Sequence, residues 1–315
     1  MPRQNGFALQ RASVGDLEWV FVSDNQKREI TALRRSFGIH PLDLKAVMPP
    51  LQRPRMVERE DYLFMILLYP RFDRKTRTIY SSEVDFFITP TRIVTVNPDG
   101  LAPLTSLFES FQRTSKEHAR VNSAASTTSL SLLYSILTEL EEDIFPMLVH
   151  LSTDIDEIEA RLFRDFEKNL IQELLRIKTN VVNARKSIQA HKTVLRQFMR
   201  SAEGRFPMKK TEPYFARLVE QTKEVWDALD VQKDTINALH EANASLIDFR
   251  INEIMKTLTV FSVIVFPLTL IAAIFGMNTQ DMPLINHPYG FWVILGLMIL
   301  GVIGMLLFFK KKKWL

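Results

Sequence analysis

Two apolar runs near the C-terminus, Thr257 to Phe275 and Phe291 to Phe309, contain no Asp, Glu, Lys or Arg. Each is about 19 residues long, the length at which a helix crosses the hydrocarbon core of a bilayer. An ionised side chain at the centre of such a helix costs roughly 2.5–3.5 kcal/mol, so their complete absence predicts a membrane hairpin rather than a buried soluble helix pair. Arg250 and Lys256 precede the first run and Lys310, Lys311, Lys312 and Lys313 follow the second, whereas the connecting segment 276–290 has no Lys or Arg. The positive-inside bias then predicts a multi-pass protein of the cell membrane with both termini cytoplasmic and the loop outside. Trp292 and Trp314 stand where aromatic belts mark the two interfaces.

The remaining composition excludes several classes of function. With 40 Lys and Arg against 36 Asp and Glu, the net charge of +4 matches the four terminal lysines, and the other charges are interleaved along helical stretches, so nucleic acid is not an expected partner. Cysteine is absent, which removes disulfides, thiolate metal sites and Cys nucleophiles. The six histidines never form an i,i+4 pair and no GxxxxGK[ST] loop occurs, so neither a zinc-protease helix nor an ATP-driven pump has residues to carry it. No catalytic constellation or resident cofactor is expected, and the chain does not read as an enzyme. From Pro2 to Val20 no apolar stretch resembles a secretory signal, so the hairpin is the first insertion signal expected.

Organisation along the chain follows from periodicity. Leu17 to Val22, Tyr62 to Leu68, Val84 to Ile88 and Arg92 to Val96 are β-branched and aromatic runs bounded by turn residues. Lys27 to Phe37, Pro41 to Val47 and Leu104 to Arg113 have helical spacing, and residues 1–125 are therefore expected to form an α/β domain. Residues 126–205 show apolar residues three and four apart, with acids between them from Glu139 to Glu159, and predict an antiparallel helical pair that Pro146 kinks. That acidic face reads as a solvated surface rather than a metal site. A third helix is predicted over 208–275, joining the polar body to the first span at 257–275; after the loop 276–290 come the second span at 291–309 and a basic tail at 310–315.

Wound at 100° per residue, Asn252, Met255, Leu258, Thr259, Ser262, Phe266, Thr269 and Ala273 share about one-third of the circumference of this helix. Two readings stand side by side. Hydroxyls in a spanning helix bond back to their own backbone or pack between helices. Alternatively the stripe is a pore wall, enclosed by several copies of the chain around a cyclic axis, with Leu258 and Phe266 as constrictions that gate by dewetting. At the outer end, the uncharged amide of Asn278 suits an ion that keeps its water, as Mg²⁺ does, and Asp281 is the one acid in the loop able to raise the local cation concentration. Lys310 to Lys313 read as an anchor to lipid phosphates and, in an oligomer, as a basic collar.

The tripeptide Gly276-Met277-Asn278 between two C-terminal spans resembles the CorA family of divalent-cation channels. The likeness extends through Gly38-Ile39-His40-Pro41-Leu42, Gln52-Arg53-Pro54-Arg55, Glu60-Asp61-Tyr62-Leu63-Phe64, Pro213-Tyr214-Phe215, Asn252-Glu253, Pro267-Leu268-Thr269 and Lys313-Trp314-Leu315. The resemblance implies an α+β membrane protein assembled as a funnel-shaped homopentamer. Each chain would have an N-terminal α/β/α domain, a stalk of long helices and two C-terminal transmembrane helices. It also implies a selectivity ring at Asn278, which would hold the ion through its bound water and be shaped by Gly276 and Met277. The pore would be lined by Asn252, Met255, Leu258, Phe266 and Thr269. Mg²⁺ would be the transported ion, with Co²⁺ and Ni²⁺ as further candidates, driven by the membrane potential.

One departure is notable. Several members of the family sense cytoplasmic Mg²⁺ between subunits through an aspartate after the His-Pro-Leu segment and another just after the Tyr-Phe pair, and the resemblance matches these to Ala46 and Arg217 here. Weak gating by Mg²⁺ is expected, or gating through other acids such as Asp43 or Glu220. The same departure leaves open a Zn²⁺ transporter like ZntB. The reading from a different class is a membrane-anchored helical scaffold that transports nothing.

Overall fold

The computed structural model describes residues 9–24, 27–121, 128–162, 168–277 and 288–314. Two compact units divide the chain, Met1–Leu239 and His240–Leu315, and the boundary falls inside a single helix.

The first unit is built on one sheet of six strands: β1 (Leu9–Val14), β2 (Leu17–Val22), β3 (Arg55–Glu58), β4 (Leu63–Asp73), β5 (Thr78–Ile88) and β6 (Arg92–Val96). Their order is β1-β2-β6-β5-β4-β3, antiparallel throughout except for the β2–β6 pair. Alternation along the strands sends side chains to two covered faces. On one face Val20, Val22, Phe64, Ile66, Phe87, Val94 and Val96 pack under α1 (Lys27–Phe37) and α2 (Pro41–Ala46) through Ile30, Leu33 and Leu44. Helix α3 (Ala102–Val121) covers the other face, where Phe108 meets Trp19 edge-on at 5.1 Å between ring centres. Two covered faces explain why β4 and β5 are buried along most of their length, and the result is an α/β/α layering.

Strand β1 and strand β3 lie at the sheet edges and escape a reading based on apolar runs: in Leu9–Val14 only Ala12 and Val14 are buried. Beyond the sheet, four helices stand where periodicity predicts two. They are α4 (Ser129–Glu142), α5 (Ile144–Leu162), α6 (Lys168–Ile188) and α7 (His191–Ala202). The first break falls at Asp143 and leaves Pro146 in the first turn of α5, where its missing N–H is harmless. The second, at Gln189–Ala190, has no Gly or Pro to signal it. A 3-10 turn, Met208–Lys210, leads into α8, Glu212–Phe275, whose first half buries Phe215, Leu218, Val225, Leu229 and Ile236 in the first unit. Helix α9 is Gly290–Lys311. At 64 residues, α8 measures about 96 Å along its axis.

Candidate functional site

Helices α8 and α9 are both long and apolar enough to cross a membrane. In the membrane part of α8 the residues shielded from solvent form one row, Lys256, Val260, Ile264, Leu268, Ile271 and Phe275, with Ser262 alone shielded off it. A matching row in α9 includes Met298, Val302, Met305 and Phe309, where sequence spacing puts every third or fourth residue on one face; Val260 and Phe309 are the most enclosed members of the two rows, at 6% and 5% exposure. The base of this hairpin is tied by Lys256 Nζ, which donates to the Lys313 carbonyl at 3.2 Å, and by Trp314 stacked on Phe309 at 5.8 Å.

The predicted stripe lies on the opposite side of α8, roughly 180° from the shielded row at 100° per residue. Asn252, Met255, Leu258, Thr259, Phe266, Thr269 and Ala273 are exposed and Ser262 is half-buried. Thr259, Ser262 and Thr269 each donate to the carbonyl four residues earlier, at 2.8, 2.9 and 2.9 Å. Their protons are thus used within the helix, while lone pairs of the hydroxyl oxygens stay free to accept. Pro267 interrupts none of this, because α8 continues through it to Phe275. Gly276 closes the helix with its N–H on the Ala272 carbonyl at 2.9 Å, and a Cβ at that position would lie 3.1 Å from the same oxygen. Met277 is exposed, and its N–H donates to the Ile274 carbonyl at 3.2 Å. Asn278 and Asp281 lie outside the described residues. Lys310, Lys311, Lys312 and Lys313 are all exposed.

At the position matched to the first sensing aspartate, Ala46 is 6% exposed and belongs to the core beneath α2. Asp43, one turn earlier, is not a vacant ligand either. Its two oxygens accept from Arg59 Nε and Nη2 at 2.8 and 2.7 Å, and one also accepts from the Tyr62 hydroxyl at 2.7 Å. Burial opposes the charged form of Asp43, yet the hydrogen bonds from Arg59 and Tyr62 outweigh it and hold the carboxyl below its usual range. Burial, with the bond to Asp43, pushes Tyr62 up to about 12. Tyr62 in turn accepts from the His40 N–H at 2.9 Å, and His40 Nδ1 caps α2 by accepting from Leu42 N at 3.2 Å. The lock therefore fixes the start of α2. Arg217 and Glu220 are exposed on α8. Among the described residues no group of three or more His, Asp and Glu side chains is arranged to hold a metal ion.

Two buried polar pairs went unread in the sequence. His191 Nδ1 lies 2.7 Å from Glu141 Oε1, and its Nε2 is 2.7 Å from the Leu68 carbonyl oxygen. Glu83 and Asp85 share one face of β5, and burial, reinforced by the neighbouring Glu83, drives Asp85 well above the ordinary carboxylate range. The first pair has no signal in local spacing, because 50 residues separate His191 from Glu141; the second shares a strand face, but its burial is set by the strand's path through the sheet.

An α/β/α unit and two helices long and apolar enough to cross a bilayer, one of them with a hydroxyl-bearing face, have the make-up of a membrane-spanning protein. The family model described as CorA-like Mg2+ transporter protein matches residues 14–311, and the chain belongs to the CorA family. The cobalt/magnesium transport protein CorA of Thermotoga maritima is 29% identical over 300 residues, covering 94% of this chain and 83% of that protein. Its counterpart of the same name in Methanocaldococcus jannaschii is 25% identical over 299 residues, covering 95% and 92%. The complete structure of the CorA magnesium transporter from Methanocaldococcus jannaschii shares the fold with a TM-score of 0.82 at 24% identity, covering 95% of this chain and 92% of that one.

Proposed function

We propose that the protein carries divalent metal cations, foremost Mg²⁺, across the cell membrane as a passive channel formed by five copies of the chain. The observation that carries this reading is the stripe from Asn252 to Ala273, which faces away from the shielded row and leads to Gly276 and Met277. A wall with free acceptor oxygens and exposed apolar constrictions at Leu258 and Phe266 suits a hydrated cation, provided that neighbouring copies close it into a tube. The names of the relatives, cobalt/magnesium transport proteins, support the same cargo. Asn278 would encircle the outer mouth with amide oxygens that hold the ion through its water, and Asp281 would draw cations toward it. Lys310 to Lys313 would form a basic collar on the cytoplasmic side, against lipid phosphates. A potential of 100 mV, negative inside, favours entry of a divalent ion by about 4.6 kcal/mol, so no other driving force is required.

The test is uptake by proteoliposomes with Mg²⁺, Co²⁺, Ni²⁺ and Zn²⁺ in competition, with and without a pH gradient, for the natural chain and Asn278→Ala. Uptake of Mg²⁺ that follows the imposed potential, ignores the pH gradient and is lost in Asn278→Ala is the expected result. Preference for Zn²⁺ with dependence on the pH gradient would move the protein to a ZntB-like activity. Absence of uptake in every condition would leave a membrane-anchored scaffold.

A further inference from the structure

A cleft of about 790 Å³ opens in the first unit between the tip of the β4–β5 hairpin, the start of α3, and helices α5 and α6. Its charges are segregated. Arg71, Arg74 and Arg77 come from the hairpin and Arg176 from α6, whereas Asp143, His150 and Asp154 fall on the α5 side at seven- and four-residue spacings. Arg71 donates to the Asp99 carbonyl and lies 6.0 Å from the Tyr80 ring centre. Arg74, Arg77 and Arg176 form no ion pair among the described residues, although two carboxylates line the same cleft.

The hairpin tip is braced rather than loose. Asn180 of α6, 2% exposed, accepts from the Ile79 N–H at 2.9 Å and donates to the Arg77 carbonyl at 3.0 Å. Arg77 itself adopts φ 55°, a left-handed conformation that glycine or asparagine fills at lower cost. Phe72, 47% exposed, and Met147 add an apolar surface to the lining.

We propose that this cleft binds a nucleoside polyphosphate as its magnesium complex. Guanidinium groups bind phosphate oxygens in bidentate fashion, and three of them here have no ion-pair partner among the described residues. The apolar surface at Phe72 and Met147 takes the base. The two carboxylates of the cleft, Asp143 just before α5 and Asp154 on it, are too few and too spread to hold a metal by themselves. Protein-bound Mg²⁺ characteristically takes one or two carboxylates and completes its octahedron with phosphate oxygens and water. One of Asp143 and Asp154 makes that contribution, since eleven residues of helix, about 16 Å, separate the two. The volume matches that of sites for ligands of this size.

Titration calorimetry on the full-length protein in detergent tests this with Mg·ATP, Mg·tripolyphosphate and orthophosphate. One saturable ATP site is expected, weakened at least about tenfold in the double variant Arg74→Ala/Arg176→Ala. Phe72→Ala is expected to weaken ATP but not tripolyphosphate, and Asp143→Asn/Asp154→Asn to abolish the dependence of ATP binding on Mg²⁺. Thermal melts establish that each variant folds, and Arg74→Ala alone, on the exposed tip, provides a second variant with the same expected direction. Absence of saturable ATP binding, unchanged affinity in the folded arginine variants, or orthophosphate binding as tightly as ATP would overturn the proposal.

Discussion

Asp43 accepts both hydrogen bonds of a fork from Arg59, at 2.8 and 2.7 Å, and by doing so ceases to be a candidate ligand for Mg²⁺. An entering cation would have to displace a guanidinium and the Tyr62 hydroxyl from a nearly buried carboxylate. With Ala46 in the core and Arg217 cationic, the two positions matched to sensing aspartates offer nothing either. Millimolar Mg²⁺ is therefore expected to shift the thermal midpoint of the protein by less than about 1 °C through these positions. Asp43→Asn should lower the midpoint at pH 7 by the equivalent of about 1–2 kcal/mol, a discounted figure because the Arg59 side chain is 30% exposed. The sign of its pH dependence follows from the depressed carboxyl. Its stabilisation is present above the unfolded value near 3.9 and is lost as pH falls through the lower folded value. The gap between natural chain and variant should therefore close in strong acid. A gap that widens on acidification, or strong stabilisation by Mg²⁺ that Asp43→Asn abolishes, would refute this account.

Asp85 predicts the opposite slope. Burial, then the charge and hydrogen bond of Glu83, raise its carboxyl well above the ordinary range, so the folded chain binds a proton that the unfolded chain releases. Stability contributed by this site is complete below the unfolded value near 3.9 and declines as pH rises toward the folded one. Asp85→Asn keeps the shape and a hydrogen-bond donor toward Glu83 without requiring the proton. It is expected to raise the melting midpoint by about 2–4 °C at pH 8, the shift that 1 kcal/mol produces in a domain of this size, and to have little effect near pH 4. A melt series across that range decides it, and equal shifts at both ends would count against the assigned cause.

Much of the fold was legible because the signals were local. Strands β2 and β6 begin and end where β-branched runs do, and α8 ends at Phe275 where the apolar run ends. Gly276, which follows the apolar run directly, marks that end in the sequence, and in the structure a Cβ there would lie 3.1 Å from the Ala272 carbonyl oxygen. What stayed hidden was tertiary. The break before His191 lacks Gly and Pro and coincides with a residue whose two ring nitrogens are engaged by α4 and β4. Likewise the lining of the arginine cleft comes from segments up to about 110 residues apart, a distance no periodicity spans. The stripe on α8 was visible as an angular pattern, but that it faces away from the shielded row needed the second helix.

His191 is fully buried, and its partner Glu141 is 1% exposed. The Leu68 carbonyl can only accept, so Nε2 donates to it, and Nδ1 faces the Glu141 carboxyl at 2.7 Å. Removing the ring leaves Glu141 without that partner in the interior, where one of its oxygens already has none. His191→Ala is expected to cost about 3–5 kcal/mol and to release α7 from the sheet, whereas His191→Gln, which can still donate, should lose less. Denaturant melts rank the two. Should alanine and glutamine prove equally harmless, the pair would be a bystander in the core.

Phe266 projects from the hydroxyl-bearing face of α8 at 70% exposure, one turn beyond Ser262 and nearly one turn before Thr269. In the proposed pentamer a ring of five such side chains would be the narrowest apolar zone between two polar levels, and water would leave it first. Shortening the side chain should then wet the zone. Phe266→Ala is expected to increase Mg²⁺ entry into proteoliposomes at a fixed potential by at least about tenfold, an amount that corresponds to 1.4 kcal/mol of barrier. Phe261→Ala removes a similarly exposed ring from the flank of the same helix, away from the stripe, and should leave the rate unchanged. If the two variants conduct alike, or if Phe266→Ala conducts no better than the natural chain, the stripe is a packing surface and the gate lies elsewhere along α8.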